Sequence, residues 1–530
     1  MVLYDRRSGR SARRQQQSQI KIFTAPRRGL IRNDSYALPV GEGAEVLDNF
    51  FPTPQGASLR GGLLRHATLG AEVTHYAVYN SGATDRLFGT TATSIFDVTT
   101  PADPNVPPTA DVTGQTSGDY SSEQFTTTGG VFLILVNGAD DMQQYNGTTW
   151  TTINAGSTPN ITGVDTADLS AVWKFKNRLF FIEEGTLSAW YLPVNSIAGA
   201  AAEFPLGGIF RQGGTLLFGV TWSLDAGDGL DDVCVFVTTE GEMAIYQGTD
   251  PSDANSFSLV GVYQIGRPLG KNAWFRAGGD IGIATDEGVV PVSSAVRQDR
   301  AAVLANAISF PIEDLWRETV SNSRGAGSFT MELWHSETML VVGVPTGAGE
   351  ENICLIANAR TGAWARYTGW DAQAVAVFQD RLYIGGSAGR VYQANVTGQD
   401  DDQIYSGVLI PRFDTFEMAE EKQALSVRLN SLQRTTVDYQ VFCNSDWITQ
   451  IPSPLPANPD ESTSVWGTAR WGQFVWGGEE ATRRISEWRS VRGNGYSLAP
   501  GLQITSGRET RPQVDLISLD LMYMVGEVAG

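Results

Sequence analysis

The stretch Asp380–Val396, DRLYIGGSAGRVYQANV, places an apolar strand (Leu382, Tyr383, Ile384) before a Gly/Ser turn and a second strand carrying Val391 and Tyr392. A lone hairpin of this kind cannot bury its own apolar face, so it needs copies beside it. Copies are present. RLFGTTATSIFDVT (86–99), RLFFIEEGTLSAWY (178–191) and VCVFVTTEGEMAIYQ (233–247) repeat the pattern closely. VFLILVNGADDMQQY (131–145), IGIATDEGVVPV (281–292) and MLVVGVPTGAGEENICLI (339–356) repeat it more loosely. The seven units begin near residues 86, 131, 178, 232, 281, 338 and 381, at spacings of 45, 47, 54, 49, 57 and 43. Strand–turn–strand content at a period of about 40 to 50 residues is the signature of a β-propeller blade. The sequence therefore predicts an all-β fold with a β-propeller of about seven blades. It leaves open whether the closing strand comes from before residue 80 or after residue 404.

Composition agrees with that reading. The 530 residues include 58 Gly and 14 Trp, and many short alternating runs favour strands over helices. Only IEDLWRETV (312–320) reads as a short helix. Charge is unevenly placed: residues 1–33 carry nine Arg/Lys against Asp5, a net of +8, and the remainder carries −28. An acidic body does not grip nucleic acid, because phosphate binding takes a Lys/Arg surface. It suits either a surface that nucleic acid slides past or simple solubility.

Three cysteines, Cys234, Cys354 and Cys443, sit far apart in apolar runs and read as buried free thiols, which predicts folding in a reducing cytoplasm. The basic start runs into QQQSQ, where a secretory signal needs an apolar segment. The longest apolar run, Val131–Val136, is too short to span a membrane.

Three regions follow: a basic N-terminal arm (1–34), the propeller region (35–404) and a C-terminal β-sandwich-like domain (405–530). The last is read from alternating strands at 424–432, 435–444 and 512–526. Between them lies an aromatic and Arg-rich run with Trp466, Trp471, Trp476, Arg483, Arg484, Trp488, Arg489 and Arg492, a composition favoured at subunit interfaces and equally at home in sandwich packing.

Catalytic chemistry has no local signature. His66, His75 and His335 stand outside any metal-binding or nucleophile-elbow pattern, and no carboxylate pair is singled out by its setting. No cofactor motif is present. Asp225, Asp228, Asp231 and Asp232 make an acidic loop that could hold a hard cation, but its ligand spacing is wrong for a calcium loop and a solvated acidic loop explains it better. Trp173, Trp190, Trp222, Trp274, Trp334, Trp364 and Trp370 recur in or beside the repeats, either as packing or as a sugar platform.

Residues 25–62, APRRGLIRNDSYALPVGEGAEVLDNFFPTPQGASLRGG, resemble the start of a tail protein common in tailed bacteriophages. The likeness is carried by Gly29, Leu30, Asn33 and Asp34, by Leu47 through Pro54, and by Gly56, Leu59, Arg60 and Gly62. RRISEWRSVRGNGYSLAPGLQITSG (483–507) resembles the C-terminal part of the same class. The resemblance implies a tail hub or nozzle of short-tailed phages: a structural virion protein, not an enzyme. It implies a homo-hexameric ring below the portal and its adaptor, enclosing the channel for DNA ejection and carrying tail fibres, assembled in the host cytoplasm. Arg6, Arg7, Arg10, Arg13, Arg14, Arg27 and Arg28, with Trp471, Trp476, Arg483, Arg484 and Trp488, are then the candidate docking residues toward neighbouring subunits and the adaptor ring. Two other readings stand beside it: a propeller module that binds host-surface glycan, and a glycan-active propeller enzyme whose carboxylates are spread over several blades.

Overall fold

The computed structural model describes residues 18–33, 41–223, 232–298, 300–347, 350–435, 437–456 and 482–526. The described chain is mostly β, arranged as several small sheets and two larger ones. Each of the seven repeated hairpins is an antiparallel pair. Every one is preceded by a further antiparallel strand, giving units that start at His75, Ser121, Leu169, Leu216, Trp274, Thr330 and Ala374. In the opening stretch, Gly389 makes the turn at φ 75°, where a Cβ would lie 2.6 Å from the Ala71 carbonyl oxygen, so only glycine fits.

First strands of neighbouring units lie side by side, and Ala374–Phe378 lies beside His75–Asn80. Between the fourth and fifth units the join is a stack of Phe218 on Trp274 and a hydrogen bond from Arg276 Nη2 to the Thr221 carbonyl at 2.8 Å. Apolar cores lie between neighbouring units, with Phe218, Val235 and Ile245 meeting Ile281, Ile283 and Val290, for example. Trp173, Trp222, Trp334, Trp364 and Trp370 are buried in such cores, and Trp190 and Trp274 are half-buried, which accounts for most of the tryptophan recurrence as packing. The seventh unit takes its fourth strand from Gly62–Thr68, which pairs with Arg390–Thr397. The strand added to the seventh unit therefore comes from before residue 80.

The two larger sheets hold both ends of the described chain. One places Gln19–Thr24, Phe50–Thr53 and Gly56–Leu59 with Lys422–Gln433, Arg483–Gly495 and Val514–Val525. The other runs from the sixth unit (Thr330–Trp334 to Trp364–Thr368) through Ala44–Asp48 and Tyr405–Pro411 to Leu498–Ser506 and Asp438–Ser445. They share one core in which Phe23, Phe50 and Leu59 meet Leu409, Leu429, Leu502 and Leu519. From Gln19 the chain is already a strand against Ser518–Tyr523, and residues 44–59 run with strands after residue 405. Long-range pairing decides their place, and local composition does not record it. The helix expected at 312–320 spans Glu313–Asn322, preceded by the short helices Val292–Arg297 and Arg300–Ala305. The three cysteines are free, two of them buried.

Between the small units and the larger sheets stands Arg60, with no exposed side-chain surface. Its guanidinium donates to Asp400 Oδ1 at 2.8 Å and Oδ2 at 2.6 Å, to Asn49 Oδ1 at 2.8 Å and to the Thr368 carbonyl at 3.0 Å. The Tyr405 ring lies 4.0 Å away, and Tyr367 and Trp370 complete an aromatic cage. Asn49, at φ 62°, accepts from the Thr368 N–H at 3.0 Å, and neighbouring Asp48 takes a paired contact from Arg366 at 2.8 and 2.7 Å. Gly62 lies so close to the Gln399 carbonyl that a Cβ would stand 1.9 Å from its oxygen. Replacing Arg60 with Met strands Asp400, which is 12% exposed, without its counter-ion. We expect a loss of roughly 3–5 kcal/mol of unfolding free energy; a urea midpoint equal to wild type refutes this clamp.

Candidate assembly surface

The outer face of the six-stranded sheet is built by alternation. On Val514–Val525, Leu519, Leu521 and Tyr523 turn into the core, so Asp520 and Met522 turn outward. Register then sets Ile22, Asp520, Arg428 and Trp488 in one row across four strands. Ile20, Ile22, Leu432, Trp488 and Ile517 are exposed apolar residues on the strands of this one sheet, with Ile22 at 59% and Trp488 at 36%. Scattered exposed apolar residues are ordinary, whereas several on one sheet with an arginine border mark a contact face.

Trp488 is held in place. The Arg428 guanidinium lies 4.9 Å from its ring, and Arg428 Nε donates to buried Asp520 at 2.9 Å. Asn430 Nδ2 donates to Asp520 Oδ2 and to Ser518 Oγ, both at 2.9 Å, and Ser486 Oγ donates to Asn430 Oδ1 at 2.9 Å. The network ties three strands together beneath the exposed aromatic, so little side-chain freedom remains to be lost when a partner covers it. Arg489 stacks on Tyr439 at 3.6 Å, and Tyr439 donates to Glu487 at 3.0 Å.

Sequence reasoning picked out Arg483, Arg484 and Trp488, and all three lie on this edge strand, the two arginines exposed. Arg27 is exposed and pairs with Glu42, and Arg28 is exposed nearby, away from that edge strand. Asp232 is buried, 3.8 Å from Lys176. Arg6, Arg7, Arg10, Arg13, Arg14, Asp225, Asp228, Asp231, Trp471 and Trp476 lie outside the described residues. Arg428, Asp520 and Asn430 were missed, because buried polar residues on a strand read as ordinary surface alternation.

A second group of polar residues lies on or just before the first strands of six of the units. Lys174 Nζ is 3.7 Å from Glu123, Thr221 donates to the Lys174 carbonyl at 2.5 Å, and Arg276 reaches Thr221. Lys271, almost wholly buried, pairs with Asp119 at 3.1 Å and donates to the Ser170 carbonyl at 2.9 Å, joining three units. His75 Nε2 meets Ser122 Oγ at 2.8 Å; burial, reinforced by the Lys271 charge, pulls its pKa down to about 4, so it is a poor base. Burial lifts Glu123 to about 6 against the pull of Lys174, and lifts Glu332, on the sixth unit's first strand, to about 7. Among the described residues no group of three or more His, Cys, Asp or Glu is arranged to hold a metal ion.

No protein-family model matches the chain, and no curated protein matches it. Among solved structures, the N-terminal domain of BBS1 in complex with ARL6 is 9% identical at a TM-score of 0.38, covering 64% of this chain and 97% of that one. The computationally designed Ika8 protein is 10% identical at a TM-score of 0.36, over 63% of this chain and 100% of the other. U3-55K is 10% identical at 0.35, over 63% and 98%. These likenesses are too slight to bear on what this chain does.

Glu332 yields a pH test. Its folded pKa, about 7, is above the unfolded value of about 4.3, so folding favours the protonated form. The charged carboxylate therefore burdens the fold fully above about pH 8, and the burden fades as pH falls through 7 and is gone below about pH 4. Glu332→Gln is expected to be more stable than wild type at pH 8, with the gap closing in acid. A gap that stays constant from pH 8 to 4 in urea titrations shows that Glu332 ionises freely.

Proposed function

We propose that this chain is a structural ring subunit in the tail of a short-tailed bacteriophage. In this reading the seven small units are blades of a β-propeller closed by Gly62–Thr68, and the two larger sheets form a sandwich-like assembly module. One observation carries the reading: the two stretches that resemble the phage class, 25–62 and 483–507, lie more than 400 residues apart yet run in the same pair of sheets. Ala44–Asp48 and Leu498–Ser506 flank Tyr405–Pro411 on either side, and Gly56–Leu59 and Arg483–Gly495 belong to one sheet. Their resemblance thus covers one folded unit.

Six copies would enclose the axial channel below the portal and its adaptor, with the propellers outside as the platform for tail fibres. Carboxylates facing that channel would repel the phosphate backbone, and DNA would meet no adhesive site as it leaves. The arginines of residues 1–17 would dock on an acidic surface of a neighbouring subunit or of the adaptor ring. Assembly in the host cytoplasm suits three free cysteines.

A glycan-binding propeller is the second reading, favoured by the polar first-strand residues Glu123, Lys174, Arg276 and Glu332. Solution mass separates the two. The full chain is expected to form a ring of about six copies, and a chain lacking residues 1–17 is expected to form it less readily. The deletion stops there because Gln19–Thr24 is part of a sheet. A monomer that binds glycan on an array supports the second reading and sinks the first.

A further inference from the structure

The six-stranded sheet has opposite charges at its two ends. Strand register brings Lys422, Gly495 and Val525 together at one end and Gln433, Arg483 and Val514 at the other. The first end carries the loop with Glu417, Glu420 and Glu421, and the Lys422 ammonium beneath it is buried and occupied by the Met418, Glu420 and Tyr496 carbonyls. Asp414, in the same loop, is already paired with Lys21 at 2.7 Å. The second end carries exposed Arg434, Arg483, Arg484 and Arg511 against Glu509 and Asp515, of which Asp515 accepts from Ser58. Between the ends lie the exposed apolar residues of the outer face and the Trp488–Arg428–Asp520 anchor.

From this we infer that the sheet is a contact between copies of this chain, made head to tail. The glutamate end of one copy meets the arginine end of the next, and the overlap buries Trp488 and its apolar neighbours. The proposal rests on the ring reading above and names its surface. Charge complementarity selects the occupant: the first end is net acidic, with exposed Arg492 beside its glutamates, and the second is net basic, so each suits the other end of an identical chain. Made through only one end of each copy, such a contact is heterologous, and it leaves a free end on each added copy until a ring closes. A two-fold contact would instead stop at two copies.

The test is a charge exchange in the full-length chain. Glu417→Lys with Glu421→Lys makes both ends basic, and Arg483→Glu with Arg484→Glu makes both ends acidic. All four positions are exposed, and unchanged thermal melting verifies the fold. Each double variant alone is expected to run at the monomer mass, and an equimolar mixture to recover assemblies above two copies. Raising salt from 0.1 to 1 M, which shortens the screening length from about 10 to 3 Å, should dissociate the mixture. Variants that keep the wild-type mass overturn this surface while leaving the ring itself standing. Recovery that stops at two copies overturns the head-to-tail geometry. A wild-type chain that stays monomeric at high concentration overturns the ring reading and this contact together.

Discussion

A single buried guanidinium joins the two halves of this molecule. Arg60 has lost all its water, and a bare cation in that setting is tolerated only if every donor finds a partner. Asp400 supplies the counter-charge, Asn49, Gly61 and Thr368 supply oxygens, and three aromatic rings supply their faces. Burial opposes the charged form, and the Asp400 carboxylate outweighs it, so the guanidinium holds its proton more firmly than usual. Those partners come from four separate parts of the chain. The demands of one side chain therefore fix where residues 49, 368, 400 and 405 stand relative to one another.

The same logic explains which parts of the fold could be read in advance. The seven hairpins were legible because each is local: two apolar strands and a turn, which at Gly241 and Gly389 needs glycine. The first strand of each unit was harder to see, since its partner is adjacent but its outer side meets polar groups such as Glu123 and Arg276. The pairing of residues 19–59 with strands beyond 405 left no local trace, for strand partners hundreds of residues apart share no period. Arg60 and Lys271 look like surface charges in the sequence, and only the setting of Arg60, between Leu59 and two glycines, hints at burial.

At the candidate site the legible part was compositional. Trp and Arg mixed on one strand pointed to a contact surface, and the edge strand Arg483–Gly495 presents them. The face itself was not legible, because it is assembled from four strands whose order along the chain is 19–24, 422–433, 483–495 and 514–525. Its two unlike ends arise only when register is known. Edge strands of this length are usually blunted against unwanted pairing by charge, and the arginines here serve that end before any partner arrives.

The pairing of Gly62–Thr68 with the seventh unit has a bearing on how the chain is made. Gly62–Thr68 leaves the ribosome early, and its partner Arg390–Thr397 follows more than 300 residues later. At about 5–20 residues per second that interval is of the order of 15 to 65 seconds. Throughout it Gly62–Thr68 lacks the strand it pairs with. The last strand of the six-stranded sheet, Val514–Val525, arrives later still and is what Gln19–Thr24 rests on. Nearly the whole chain must therefore be synthesised before either end can settle, which makes early termination far more damaging here than in a protein that folds segment by segment.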